Sequence, residues 1–190
     1  MTKLTMETTV NAEGRATEHR WPAPLDQDWL QDFLTDIFDN HWQGLSFGPI
    51  VEGAAYELRP PSKPQRISLH DGYLTVFYGL QGHFHLCIGR NEGAVKQGGE
   101  ALVAHRRPGK AEFFRSLDPD GHPRSWGFRM DNGKGEQMLS LFFPNPFITA
   151  DDQLADQPDW ERLATWDHVR RTYIGIEDGA ADRMSKGYRG

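Results

Sequence analysis

The sequence predicts an α+β fold, a meandering antiparallel β-sheet covered by an N-terminal and a C-terminal helix, and three observations carry that prediction. In LDQDWLQDFLTDIFDNHWQG, Trp29, Leu30, Phe33, Leu34, Ile37, Phe38 and Trp42 recur at helical spacing. From about residue 55 to residue 143 the pattern changes to short β-branched and aromatic runs separated by turn residues. After Asp156 a helical spacing returns in Trp160, Leu163, Val169 and Tyr173. Helices packed on such a sheet bury one apolar stripe per element.

Each element follows from its own residues. Asp26 is placed to cap the first helix and Gly44 to stop it. Ala55 to Leu58, followed by Pro60, Pro61 and Pro64, reads as an edge strand and loop, because proline cannot donate to a ladder. In RISLHDGYLTVFYG the pair Asp71-Gly72 supplies the positive φ angles of a two-residue hairpin turn, which sets His70 opposite Tyr73. KAEFFRSL mixes helix formers with strand-like neighbours and is assigned to a strand. Arg124 to Met130 and Glu136 to Phe143 form neighbouring antiparallel strands joined by DNGKG, with DPDGHP as the turn before them. Asp156-Gln157-Pro158 opens the closing helix.

A chain of 190 residues is long enough for one domain with a hydrophobic core, here expected over residues 21–176. Residues 1–20 and 177–190 are polar and aperiodic and are expected to be flexible tails. With 27 acidic against 21 basic residues and a net charge of -6, nucleic acid and anionic membrane are disfavoured as partners. A small-molecule ligand or cofactor suits the composition better, and a homodimer is compatible with it. The single cysteine, Cys87, rules out an intrachain disulfide framework and points to a reducing compartment. No stretch is apolar enough to span a bilayer or serve as a signal-peptide core, so a cytoplasmic location is expected.

The chemistry concentrates in GHFHLCIGRN. Alternation sends Phe84, Leu86 and Ile88 to one side and His83, His85 and Cys87 to the other. His-x-His on a strand is a common way to bring two imidazoles to one divalent transition metal ion. Along a regular strand the α-carbons of His83 and Cys87 lie roughly 13 Å apart, more than the 11 to 12 Å or so that a shared ion allows, which excludes Cys87 from the set unless the strand is bulged. Cys87 then reads as a satisfied buried thiol. A third ligand has to come from elsewhere, and His70 and His105 are candidates, with His122 a solvated turn residue and Glu136 a strand-edge charge. The alternative is an ordinary half-exposed strand face. His41 lies near the end of the first helix, where a cation meets the helix dipole favourably. His168, in the closing helix, is expected to face water. HRRPGK, with Arg106 and Arg107, is the one basic cluster, able to anchor an anionic group or simply to face solvent as a loop.

Two resemblances bear on these residues. His83 and His85 followed by Glu92 are similar to the first cupin motif at the level of the dipeptide, and the spacing to Glu92 is longer than in that motif. A broader pattern resembles the bacterial haem-utilisation proteins, a cytoplasmic haem-trafficking and haem-degrading family. It comprises Phe84-His85-Leu86-Cys87-Ile88, Arg106-Arg107-Pro108, Asp120-Gly121-His122 with Ser125, and Gly135-Glu136 leading to Phe142-Phe143, with EFFRSL as an insertion. The resemblance covers residues 82–143. It implies a split antiparallel sheet with flanking helices, and a haem held by a histidine, with His41 and His70 as candidates, and by Arg106 and Arg107 near the propionates. Three readings follow: a cytoplasmic haem- or metal-binding protein with its site around His83 and His85; a small metal-dependent, cupin-like enzyme acting on an aromatic or carboxylate substrate; and a non-catalytic interaction domain.

Overall fold

The computed structural model describes residues 3–188, so residues 1, 2, 189 and 190 of the expected tails lie outside the described residues. In chain order the elements are β1 (Glu7–Val10), β2 (Ala16–Pro22), α1 (Gln27–Asn40), β3 (Ser46–Gly48), β4 (Ile50–Val51), β5 (Ala54–Ala55), β6 (Arg66–His70), β7 (Tyr73–Phe77), β8 (His83–Cys87), α2 (Glu92–Arg106), β9 (Pro108–Leu117), β10 (Pro123–Asn132), β11 (Gln137–Phe142) and α3 (Ala164–Val169). The α+β class with antiparallel sheets is as the sequence predicts. No helix among the described residues is long and apolar enough to cross a membrane.

The chain forms two compact units interleaved in sequence: one takes the chain up to Pro22, Glu112–Phe128 and the chain from Phe142, the other Ala23–Ala111 and Arg129–Leu141. The changeovers at 111/112 and 128/129 fall inside β9 and β10. No linker composition marks them, which is why the sequence gives no sign of the division.

In the first unit the strand order is β1-β2-β9-β10, and β2 pairs antiparallel with β9 from Glu18↔Ser116 to Pro22↔Glu112. Glu7–Val10 and Ala16–Pro22, which fall largely in the expected flexible tail, are therefore the two strands of a hairpin. Their polarity reflects an edge hairpin with exposed side chains, where ladder hydrogen bonds supply the order that burial does not. Trp21, Trp126 and Trp166 are almost completely buried and surround a carboxylate from the other expected tail. Asp182, 1% exposed, accepts hydrogen bonds from Trp126 Nε1 (3.0 Å), Trp166 Nε1 (2.9 Å) and Arg115 Nη1 (2.8 Å). A single charged group thus orders the 180–183 turn. The closing helical pattern is present but not uniform, passing from a 3₁₀ turn at Trp160–Leu163 through α3 into a π-turn at Arg170–Ile174.

In the second unit, α1 is capped as expected, with Asp26 accepting from the backbone of Asp28 and Trp29, and it buries Leu30, Phe33, Leu34, Ile37 and Phe38. Strands β6, β7 and β8 form a three-stranded antiparallel sheet, with His70 opposite Tyr73 across the Asp71-Gly72 turn. The positive φ angles of Asp71 (47°) and Gly72 (77°) are those the hairpin requires. The helix α2 has no counterpart in the sequence reading. Gly98 and Gly99 lie at its middle, Gly99 has a non-helical φ of 67°, and the apolar stripe is weak. Packing and capping make it helical: Asp71 accepts from the backbone of Glu92 (2.6 Å) and Gly93 (3.1 Å), and Asn91 accepts from Ala94 (2.6 Å). Those backbone donors to Asp71 also hold its carboxyl below the ordinary value.

Candidate functional site

The register of β6, β7 and β8 sorts their side chains into two faces. Leu74, Val76 and Leu86 point inward and are buried, and Phe84 meets Phe38 of α1 and Phe47 of β3 at ring separations of 5.3 and 5.0 Å. The opposite face carries three cross-strand rows: Arg66, Phe77 and His83; Ser68, Thr75 and His85; His70, Tyr73 and Cys87. All of these are exposed or half-buried except Cys87.

Within the first row Arg66 sits 5.6 Å from the Phe77 ring centre, and the Phe77 and His83 rings are 5.9 Å apart. The His83 and His85 rings meet edge to face at 4.9 Å. In the second row Thr75 Oγ1 and His85 Nδ1 are 2.7 Å apart. When Nδ1–H donates to the threonine oxygen, the lone pair of Nε2 is free to act as a ligand; in the other tautomer the hydroxyl donates to Nδ1 and Nε2 carries the proton.

The other predicted positions lie apart from this pair. Cys87 donates towards Gly89 O at 3.5 Å, and burial pushes its thiol up from the ordinary value, so it presents no thiolate. His70 occupies the third row on β6, two strands from β8 and so about 10 Å across the sheet. His105, in the last turn of α2, faces Glu136 with Nε2 3.0 Å from Oε2. His41 follows α1 as its C-cap, Nε2 4.0 Å from Asp36 Oδ1. Arg106 spans the two halves of α2, donating to Asn91 Oδ1 (3.3 Å) and Gln97 Oε1 (2.9 Å), while Arg107 is exposed at the helix end. In the first unit, His122 lies in the turn with Nδ1 4.0 Å from Asp118 Oδ2, and His168 on α3 is half-buried, its Nδ1 3.4 Å from Thr172 Oγ1.

Among the described residues no further His, Cys, Asp or Glu joins His83 and His85 closely enough to complete a three-ligand set. At this pair a bare transition ion is not supported. The sequence reading missed Arg66, Thr75 and Phe77. The Asp71-Gly72 turn fixes the register of β6 on β7, but the pairing of β7 with β8 depends on the turn at Gly79–Gln81, which carries no comparable signal.

Residues 7–175 match a family described as a family of unknown function, DUF7676. The chain belongs to that family. No curated protein shows a significant match. Among solved structures, a crystal structure of ChuX is similar with a TM-score of 0.49 and 12% identity, over 82% of this chain and 76% of that one.

Proposed function

We propose that the protein binds a planar cofactor of the haem class on the open face of β6, β7 and β8, with one imidazole of the His83–His85 pair as its ligand. The observation that carries this reading is the exposed imidazole pair, 4.9 Å apart and flanked by Phe77, with Thr75 Oγ1 in hydrogen-bond contact with His85 Nδ1. Three strands about 4.8 Å apart, five residues long at about 3.3 Å each, give a face of about 10 by 13 Å, comparable with a porphyrin.

The donor chemistry of the face suits such a group. Haem would supply an iron able to take an imidazole as ligand, and His83 and His85 are the side chains that would offer one. Thr75 orients His85, Phe77 and Tyr73 offer aromatic surface, and the Arg66 guanidinium is of the kind that pairs with a propionate. An open face favours reversible uptake and release over chemistry that needs water excluded.

The test is a titration of the full chain with ferric haem, followed by absorption. The expected result is a saturable Soret band, weakened in Thr75→Val and lost in His83→Ala/His85→Ala. A double variant that takes up haem like the parent, or a parent that takes up none, overturns the reading.

A further inference from the structure

The first unit has a concave site of its own. The β2–β9 register brings the start of β2 beside the end of β9, so the turns of the β1–β2 and β9–β10 hairpins lie at one end of the sheet. Between them is a cleft of about 200 Å³ whose walls include Arg15, Leu117, Asp118, Pro119 and Arg124.

Both turns are held by their own hydrogen bonds. Asn11 Oδ1 accepts from the backbone of Glu13 (3.1 Å) and Arg15 (2.9 Å), and Asn11 N donates to Arg15 O (2.9 Å). Across the cleft, Asp118 Oδ1 accepts from the backbone of Asp120 (3.0 Å) and His122 (2.8 Å), and its Oδ2 accepts from Ser185 Oγ (2.8 Å). Arg124 lies over the Tyr188 ring at 5.5 Å.

The cleft brings two arginines together. Arg20, Arg90, Arg115, Arg170 and Arg183 each face a carboxylate within 4.0 Å. The guanidinium groups of Arg15 and Arg124 have no carboxylate partner among the described residues, in a chain with 27 acidic side chains against 21 basic ones. The two cations line one cleft with a single carboxylate, Asp118, whose oxygens are already turned to backbone and serine donors. The balance in the cleft is one positive charge.

The geometry points to an anion-binding site at this cleft, in which Arg15 and Arg124 clamp the carboxylate or phosphate of a small organic molecule and Leu117 and Pro119 receive its apolar part. Forked guanidinium donors match both oxyanions, and the apolar wall distinguishes an organic acid from a bare ion.

The test is amide NMR on the full chain titrated separately with inorganic phosphate, phenyl phosphate and benzoate. The expected result is saturable shifts confined to residues 11–17 and 117–124. The two organic anions should bind more tightly than inorganic phosphate, and the tighter of them identifies the preferred oxyanion. Arg15→Gln and Arg124→Gln should each weaken binding by about tenfold, the usual worth of a charged hydrogen bond, with the amide spectrum outside the cleft unchanged. Absence of saturation up to tens of millimolar, or equal binding by the double Gln variant, overturns the proposal. The haem titration of these variants should be unaffected, which separates this site from the face around His83.

Discussion

Asp182→Ala should be the most damaging single substitution in the first unit. The carboxylate is 1% exposed and satisfies three donors at 2.8 to 3.0 Å, one the charged Arg115 and two the indole N–H groups of Trp126 and Trp166. Alanine leaves a guanidinium largely out of water without its counter-charge and two buried N–H groups without an acceptor. Removing one partner of a buried ion pair costs about 3–5 kcal/mol, a large part of the 5–15 kcal/mol or so that holds a typical domain together. Asp182→Asn keeps one acceptor oxygen but points an amide N–H₂ at a donor, so it should lose about half as much. Urea unfolding followed by tryptophan fluorescence measures both. Arg115 also donates to His19 Nδ1 at 3.0 Å and lies over Trp21, so Arg115→Met tests the pair from its other side. The double variant should be less damaged than the sum of the singles by about 1.5–3 kcal/mol. A loss under about 1 kcal/mol for Asp182→Ala, or strict additivity in the cycle, would refute the reasoning.

Phe38→Ala should destabilise the second unit by about 3–5 kcal/mol in the same assay, because Phe38 is fully buried and packs on both Phe47 and Phe84. Gly72→Ala should cost about 1–3 kcal/mol, since its φ is 77° and a Cβ there would lie 2.4 Å from Arg90 O; a neutral result would mean that the turn relaxes freely. Burial alone would raise the Asp167 carboxyl, but hydrogen bonds and charge from Arg183 and Arg170 outweigh it and hold the group below its ordinary value of 3.8. The unfolded chain therefore binds that proton more tightly than the folded one. Its contribution to stability should be fully present above the ordinary carboxylate range and lost as pH falls through that range towards the lowered folded value. Asp167→Asn should flatten this acid limb in a series of unfolding curves.

The elements legible in the sequence are those whose signal is local. Asp26 and the Trp29 to Phe38 stripe specify α1, Asp71-Gly72 specifies the β6–β7 hairpin with its register, and alternation in HFHLC assigns every side chain of β8 to a face. The π-turn after α3 was not legible, because its residues keep an ordinary helical spacing while the carbonyl partners change. The sequence by itself therefore determined the α+β class, the composition of each face and the two histidines of the proposed site. Only the tertiary structure decided that β8 pairs with β7 so that Thr75 meets His85, that the polar stretch at 7–22 is a β-hairpin, and that Asp182 is buried against two indoles. Periodicity and turn chemistry act between near neighbours, where the chain records them directly. Strand pairing, helix capping by a distant aspartate and the neutralisation of a buried charge depend on groups that meet only once the chain has closed on itself.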